Sequence, residues 1–211
     1  MRILLAGATG LVGGHALRQL MGRGHEVTGV GRTGSGEATD EVVVDFAALP
    51  ALPAAEAAVC ALGTTRAKAG SRDAMRAVDV DAVVAFADAA RAAGARHCVL
   101  VTAVGADAGS RVFYTRSKGQ AERAVERLGF DGLDILQPGL LLGVRREVRY
   151  VETVLQLASP VLSPLLFPPL DRYGGIAATA VAGAIVELVE RGPAGTHRHE
   201  NRSIRLLANR D

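Results

Sequence analysis

Short apolar runs alternate with longer segments of helical periodicity along most of this chain. Strands are predicted where the runs are short and continuous, at residues 3–6, 26–30, 41–44, 57–62, 98–102 and 133–137. Helices are predicted where apolar residues recur with helical spacing, at residues 11–21, 73–93, 114–128 and 176–189. Strands that alternate with helices favour parallel pairing, because each crossover helix returns the chain to the same end of the sheet. The pattern therefore predicts an α/β fold with a doubly wound parallel sheet.

Composition narrows the class of protein. The 211 residues suit a single domain, and 24 basic against 22 acidic residues give a formal net charge of +2. These charges are interspersed, which disfavours a nucleic-acid-binding surface. Cys60 and Cys98 lie in strand-like runs, as buried reduced thiols of a cytosolic protein do. No signal peptide or uninterrupted membrane span is apparent, so we expect a cytoplasmic protein.

The first strand leads directly into the glycine pattern Gly7, Gly10 and Gly13. Gly7 permits a tight turn, Gly10 lets the backbone approach a pyrophosphate, and Gly13 lets the following helix pack on the strand. A helix N-terminus at this point would hold the phosphates. Residues 7–13 are therefore predicted to bind a dinucleotide, with Thr9, Leu11 and Val12 completing the loop. A purely structural glycine turn is the alternative.

The end of the second strand predicts which dinucleotide is bound. NAD-specific folds place an acidic residue about 20 positions beyond the motif, to bind the ribose 2′-hydroxyl. Here the strand is followed by Arg32, and neither Asp nor Glu occurs between Glu26 and Glu37. A guanidinium suits a 2′-phosphate, so NADP is predicted, with NAD possible. The alternative is a solvent-exposed arginine in a flexible loop.

Other cofactor contacts are expected beyond the carboxyl ends of later strands, where open parallel sheets bind ligands. Asp45 and Phe46 follow the third strand and could border an adenine. The residues predicted beyond the fourth and sixth strands are Leu62, Gly63, Thr64 and Pro138. Thr102 lies at the mouth of the fifth strand.

Tyr114 and Lys118 begin a predicted helix and share one of its faces. The same face continues through Ala121, Val125 and Leu128. A charged lysine on such an apolar face is unusual unless it has a binding partner or a chemical role. An ammonium near a phenol favours the phenolate and lowers the tyrosine pKa from roughly 10 toward neutrality. The pair is therefore a candidate for proton transfer or cofactor binding, and a lysine snorkelling from a structural helix is the alternative.

Taken in order, these motifs resemble the atypical short-chain dehydrogenase/reductases, and most of all their NAD(P)-binding, Tat-interacting oxidoreductase-like branch. The segments that carry the resemblance are residues 7–13, 62–65, 101–107, 114–118 and 137–140. The resemblance implies a Rossmann fold, bound NADP(H), and Tyr114 as acid/base. It further implies that Lys118 holds the nicotinamide ribose and lowers the tyrosine pKa, and that a hydroxyl near Thr102 orients a substrate carbonyl.

Three residues depart from the pattern of that family. Thr102 stands where serine is usual, Asp79 where many relatives have asparagine, and Gln137 where arginine is frequent. An NADP-dependent oxidoreductase acting on a small carbonyl or alcohol is the first functional hypothesis. A sugar-nucleotide epimerase or dehydratase, and a non-catalytic redox sensor that binds NADP, are the alternatives.

The last third of the chain is expected to complete the substrate side of this single domain, over residues 140–211. Residues 151–170 are apolar but interrupted by prolines, which prevent one continuous spanning helix. We expect this segment, preceded by the basic residues 145–149, to cover the substrate cleft, and contact with a membrane or partner is the alternative. Residues 197–200 suggest an edge strand on which His197 and His199 share a face, but no third ligand supports a metal site. The sequence leaves the identity of the substrate and the oligomeric state open.

Overall fold

A seven-stranded parallel sheet forms the centre of the computed structural model, which describes residues 1–143 and 170–209. Its strands are β1 Arg2–Ala6, β2 Glu26–Gly31, β3 Asp40–Val43, β4 Ala57–Cys60, β5 His97–Val101, β6 Gly132–Gln137 and β9 Gly195–Glu200. The strand order is β3-β2-β1-β4-β5-β6-β9, so the direction of winding reverses between β1 and β4. The predicted doubly wound parallel sheet is confirmed. Ligands of such sheets bind beyond the strand carboxyl ends at this reversal.

Helices cover both faces of the sheet. They are α1 Leu11–Gly22, α2 Arg66–Ala69, α3 Arg72–Arg76, α4 Ala82–Ala92, α5 Phe113–Glu126, α6 Ala178–Arg191 and α7 Asn201–Ala208. One apolar cluster packs α1, α6 and α7 on the sheet through Leu17, Ile185 and Ile204. The other packs α4 and α5 on the opposite face through Phe86 and Val125. The central strands are buried on both sides, which explains their continuous apolar sequences.

The long helix predicted at residues 73–93 is interrupted. Ala77–Asp81 forms a π-helical turn between α3 and α4. A π turn adds a residue to one turn and so shifts the buried face of the helix. Val83 and Ala87 are buried, while Ala89 and Ala93 are only partly buried. The same turn carries Asp79 inward, where it is fully buried.

Three further differences lie in the connections and the C-terminal region. Residues 66–69, which lie between the strand predicted at 57–62 and the helix predicted at 73–93, form α2 with Thr65 as its N-cap. Ile176 belongs to β8 Gly175–Ala177 rather than to the last predicted helix, and pairs in parallel with β7 Leu140–Leu142 in a separate two-stranded sheet. Helix α7 follows the predicted edge strand and has no counterpart in the sequence prediction. Its apolar face packs on α6.

The predicted basic segment 145–149 and the apolar cover 151–170, up to residue 169, lie outside the described residues. Among the residues that are described, no helix is long and apolar enough to cross a membrane.

Candidate active site

The glycine turn joins β1 to α1 at the point where the sheet reverses its winding. Gly7 has φ +91°, and a Cβ added there would lie 2.6 Å from the Ala61 carbonyl oxygen. A Cβ at Gly13 would lie 2.1 Å from the Gly7 carbonyl oxygen. Both glycines are therefore required by the approach of one backbone to another, as predicted for a tight turn and close helix packing.

The N-terminus of α1 is open to an anion. Gly10 is the N-cap residue, no side chain caps it, and the first turn contains no acidic residue. The first backbone N–H groups of a helix have no acceptor within the helix, and together with the helix dipole they favour a negative group. Thr9 is exposed beside this end, whereas the Val12 side chain is buried in the core. The turn thus fits the pyrophosphate of a dinucleotide, which Leu11 and Val12 would contact through backbone rather than side chain.

Arg32 is exposed immediately beyond β2, and it makes no hydrogen bond or ion pair within the described part of the chain. The first two acidic side chains that follow Arg32 in the sequence after the loop, apart from Asp40, have other partners. Glu41 accepts hydrogen bonds from the backbone N–H groups of Ser35 and Gly36, at 2.8 and 3.0 Å, and Glu37 pairs with Arg18 at 3.0 Å. Arg32 is therefore a cation that remains available to a ligand.

Asp45 and Phe46 follow β3 as predicted. The Asp45 carboxylate accepts a hydrogen bond from the Ala47 N–H at 3.0 Å, and Phe46 packs against the core cluster beneath α4. Phe46 thus has a packing role whether or not its edge borders an adenine.

Beyond β4, the backbone at residues 62–64 meets Lys118 and Asp79. The Lys118 Nζ lies 3.0 Å from Asp79 Oδ1, and the same oxygen accepts a hydrogen bond from the Thr64 N–H at 3.0 Å. A Cβ at Gly63 would lie 3.3 Å from the Lys118 Nζ, so glycine leaves room for the ammonium. Lys118 is 4% exposed and Asp79 is 0% exposed. On the inward face of α5, Lys118 therefore forms a buried ion pair with Asp79.

Tyr114 lies in the first turn of α5, one turn before Lys118, and is 40% exposed. The helix follows β5 through the loop at residues 102–112, which leaves the carboxyl end of that strand, the side on which such sheets bind ligands. The phenol of Tyr173 lies beside the loop that precedes α5, since a Cβ at Gly105 would lie 3.8 Å from the Tyr173 Oη. The sequence analysis expected residue 173 on the substrate side of the domain but assigned Tyr173 no role, because only the fold brings residues 105 and 173 together.

Thr102 is buried and donates its hydroxyl proton to Glu122 Oε1 at 2.6 Å. Gln137 Nε2 donates to both oxygens of Glu122, at 2.9 and 3.1 Å, and Arg198 Nε lies 3.3 Å from Oε2. Glu122 thereby joins α5 to three strands, at Thr102 just after β5, Gln137 at the end of β6 and Arg198 on β9. While this bond is in place the Thr102 hydroxyl can only accept a hydrogen bond, so the role of orienting a substrate carbonyl stays a prediction.

Glu122 was missed by the sequence prediction, although a signal for it exists. It follows Lys118 by four positions, so Tyr114, Lys118 and Glu122 share one helix face. The apolar residues at 121 and 125 obscured a carboxylate that is only 3% exposed.

Pro138 is buried beyond β6, and its carbonyl accepts a hydrogen bond from the Val104 N–H at 2.9 Å. Asn201 fixes the next residue, since its Oδ1 accepts from the Gly139 N–H and its Nδ2 donates to the Gly174 carbonyl, both at 2.9 Å. The loops after β5 and β6 are thus held together at the ligand side of the sheet.

A second polar cluster lies away from this site. Asp134 accepts from His97 Nε2 at 2.8 Å and from His199 Nε2 at 2.6 Å. Burial acts to raise the pKa of Asp134, but the hydrogen bonds from His199 and His97 outweigh it and lower that pKa to about 2. Across the described residues no group of three or more His, Cys, Asp or Glu side chains could hold a metal ion. His199 therefore serves a carboxylate on the neighbouring strand.

The fold and the site define an NAD(P)-binding Rossmann protein. The sequence matches the NAD(P)H-binding family over residues 7–157, and the chain belongs to that family. It is 35% identical over 214 residues to protein HTATIP2 of Rattus norvegicus, covering 96% of this chain and 87% of that protein. It is 37% identical over 159 residues to the mitochondrial protein FMP52 of Coccidioides immitis (strain RS), covering 75% of this chain and 65% of that protein.

Solved structures support the same fold. Human epimerase family protein SDR39U1 (isoform 2) with NADPH has a TM-score of 0.69 at 22% identity, over 95% of this chain and 74% of that one. A short-chain dehydrogenase/reductase superfamily protein from Agrobacterium tumefaciens with bound NAD has a TM-score of 0.71 at 18% identity, over 95% and 77%. The predicted Rossmann fold is confirmed and is like that of these two proteins, which differ in the dinucleotide they hold.

Proposed function

We propose that this protein is an NADP(H)-dependent oxidoreductase that interconverts a small carbonyl compound and its alcohol. The observation that carries the proposal is the buried Lys118 beside residues 62–64, one helical turn from Tyr114. A buried ammonium next to the expected ribose position is a costly arrangement unless it serves binding or chemistry. Sequence and fold comparisons support the NAD(P)-binding class, and the open cation at Arg32 supports NADP over NAD.

In the proposed binding mode, the backbone at residues 10–12 holds the pyrophosphate, Arg32 the 2′-phosphate, and Lys118 the nicotinamide ribose. NADPH, when bound, supplies a hydride to the carbonyl carbon of the substrate. Tyr114 gives its hydroxyl proton to the carbonyl oxygen, so the products are an alcohol, oxidised cofactor and a phenolate. Lys118 stabilises the phenolate by its positive charge, and the reverse reaction uses the phenolate as a base.

The test compares Tyr114→Phe with Lys118→Ala in a screen for NADPH turnover on carbonyl compounds. Tyr114→Phe should lower kcat by roughly 10² or more with nearly unchanged NADPH affinity, because the hydroxyl acts in proton transfer. Lys118→Ala should weaken NADPH binding and also move the pH–rate profile upward, because it removes a ribose ligand and the charge beside the phenol. NADPH binding is followed by fluorescence titration and folding by thermal melts. Turnover that persists unchanged in Tyr114→Phe would remove the catalytic assignment.

A non-catalytic NADP-binding sensor is the second candidate, and the Thr102–Glu122 bond favours it. An enzyme of this class needs a hydroxyl donor near the carbonyl, and the Thr102 proton is directed to Glu122 instead. The epimerase alternative shares the proposed tyrosine chemistry and is favoured by the fold likeness to an epimerase family protein. Tight NADPH binding without turnover on any carbonyl substrate would support the sensor.

The cytoplasmic location also stays a proposal. The FMP52 relative is named as mitochondrial, and fluorescence microscopy of the tagged protein in its native cell would decide between the two compartments.

A further inference from the structure

A second constellation of side chains, at one edge of the sheet, has no part in the proposed dinucleotide chemistry. Ser203 in the first turn of α7 has its Oγ 3.1 Å from His199 Nδ1, and His199 Nε2 lies 2.6 Å from Asp134 Oδ1. His199 belongs to the edge strand β9, so β4, β5 and β6 separate this group from the glycine turn after β1. A serine, a histidine and an aspartate joined in this order by hydrogen bonds form an arrangement that makes a hydroxyl nucleophilic.

The carboxylate of Asp134 sets the direction of these hydrogen bonds. Burial acts to raise its pKa, but the hydrogen bonds from His199 and His97 lower that pKa to about 2, so Asp134 is ionised at neutral pH. An ionised carboxylate can only accept, so both histidines donate from Nε2. With its proton on Nε2, the neutral His199 ring presents the lone pair of Nδ1 to the Ser203 hydroxyl, as a general base does.

The packing shields the lower part of this group and leaves the serine accessible. The side chains of Asp134 and His199 are 6% and 12% exposed. Ser203 is half-buried and contributes to the wall of an open pocket of about 520 Å³. The pocket is lined by Gln137, Arg198, Glu200, Arg202, Ser203 and Leu206. A small molecule in this pocket would therefore meet the hydroxyl, while the carboxylate and the imidazole stay largely out of water.

Groups that can stabilise a developing negative charge adjoin the serine. The first backbone N–H groups of α7 have no acceptor within the helix, and its N-cap residue Glu200 makes no side-chain cap hydrogen bond. The Glu200 carboxylate pairs with Arg172 at 3.3 Å. Arg202 adds an exposed positive charge to the pocket wall, and Leu206, which is 63% exposed, adds an apolar surface. This combination suits an ester with a small acyl group.

We propose that Ser203, His199 and Asp134 form a second active site, which hydrolyses small carboxylic esters through an acyl-serine. Ser203 Oγ attacks the ester carbonyl carbon and passes its proton to His199 Nδ1. The bond from that carbon to the alcohol oxygen then breaks, and His199 returns the proton to the departing oxygen. Water hydrolyses the acyl-serine by the same route, which releases the carboxylic acid and restores the hydroxyl. Asp134 is a positioning residue, because it holds the proton on His199 Nε2 and touches no reacting atom.

The test uses the purified full chain, without dinucleotide, and a fluorophosphonate probe. In the labelling reaction a bond forms between the serine oxygen and phosphorus, and fluoride leaves. Mass spectrometry should locate the label on Ser203, and Ser203→Ala should abolish it. His199→Gln, which removes the base, should slow labelling by roughly 10² or more. Ser71→Ala is the matched control and should leave the label unchanged, because Ser71 is an exposed serine whose hydroxyl accepts from the Ala74 N–H.

The positioning role of Asp134 has its own measurement. Asp134→Asn should slow labelling of Ser203 by a factor similar to that of His199→Gln, because an amide does not fix the proton on His199 Nε2. Nitrogen-15 NMR of the histidine rings shows which nitrogen carries the proton, and lost stability alone would not move that proton. If Asp134→Asn does not fold, labelling of the unmodified protein and of Ser203→Ala still decides the proposal.

Release of nitrophenolate from p-nitrophenyl acetate measures ester turnover in the same variants, and thermal melts show whether each variant is folded. Labelling and turnover that both depend on Ser203 and His199 would support the second site. An unlabelled Ser203 in the unmodified protein, labelling as fast in His199→Gln, or equal ester turnover in Ser203→Ala would overturn it. Neither readout involves NADPH, so either proposal can fail while the other stands.

Discussion

At the scale of single residues, the glycines of the β1–α1 turn act by allowing one backbone segment to approach another. Gly13 shows this most clearly, since the helix that begins the dinucleotide site packs directly on the Gly7 carbonyl. The glycine pattern was predicted from cofactor binding and helix packing together, and the structure separates the two. Gly13 is required by packing, whereas a Cβ at Gly10 would have only the Gly7 oxygen within 4 Å, at 3.1 Å.

Gly13→Ala should therefore destabilise the fold as well as weaken NADPH binding. Its Cβ would lie 2.1 Å from a backbone oxygen, so α1 must move away from β1. We expect a loss of about 1 to 3 kcal/mol in the free energy of unfolding, the usual cost of overpacking. Urea denaturation measures this loss. Gly10→Ala is the control, with a smaller loss, and equal stability of the two variants would contradict the packing argument.

Arg32 is the single residue proposed to set the preference for NADP, because it would bind the 2′-phosphate. Arg32→Asp removes the partner of the 2′-phosphate and adds an acceptor for a 2′-hydroxyl, so the ratio of NADP to NAD affinity should fall by tenfold or more, an effect of about 1.4 kcal/mol. Parallel titrations with both dinucleotides measure the ratio. Arg66→Asp, an exposed arginine on α2, should leave it unchanged. An unaltered ratio in Arg32→Asp would assign the preference elsewhere.

At the scale of elements, Glu122 connects α5 to the strands that it covers. Its carboxylate takes hydrogen bonds from Thr102 after β5 and Gln137 on β6, and it pairs with Arg198 on β9. Gln137 stands where arginine is frequent in the family. Here Arg198 brings a positive charge to Glu122, which an arginine at position 137 would otherwise supply.

Glu122→Ala should cost about 2 to 4 kcal/mol of unfolding free energy, because it leaves buried Thr102 and Gln137 without their partner. Glu126→Ala is the matched control on the next turn of α5. The Glu126 side chain is 31% exposed, and within the described part of the chain its carboxylate pairs with Arg198, so its removal should cost less than about 1 kcal/mol. Urea denaturation at pH 7 compares the two. Similar losses in both variants would show that Glu122 is no more than a surface pair.

At the scale of the whole molecule, Asp134 on β6 connects the central strand β5 to the edge strand β9. It bonds His97 on β5 and His199 on β9, and so fixes β9 in the sheet. Its pKa of about 2 in the folded protein lies below the usual aspartate value of about 3.9. A depressed carboxyl pKa contributes stability that is present above the unfolded value and lost as the pH falls through the folded one.

The stability difference between the unmodified protein and Asp134→Asn should therefore shrink between about pH 4 and pH 2, by about 1 to 2 kcal/mol. Chemical denaturation at several pH values in this range measures it, and comparison of the two proteins cancels the other carboxylates. A difference that stays constant from pH 7 to pH 2 would show that the two histidines do not hold Asp134 in its ionised form.

The sequence predicted much of the fold because its information is local. Apolar runs and helix-type spacing located the first six strands of the main sheet and four of its helices, and the glycine turn, Tyr114 and Lys118 follow from motifs of a few residues. The errors also have local causes. The π turn at 77–81 keeps a helical sequence pattern, and Ile176 is apolar in either a strand or a helix, so neither could be assigned by periodicity.

The sequence by itself thus determined the doubly wound sheet, the dinucleotide turn and the helix face that Tyr114 shares with Lys118, because strand and helix periods and glycine geometry operate over short distances. Only the tertiary structure decided which groups surround those residues. Asp79 is 39 positions from Lys118, and Glu122 is 20 positions from Thr102. Such pairs form when the crossover helices bring distant segments to one edge of the sheet, and the partners that a side chain meets there set its charge and hydrogen bonding.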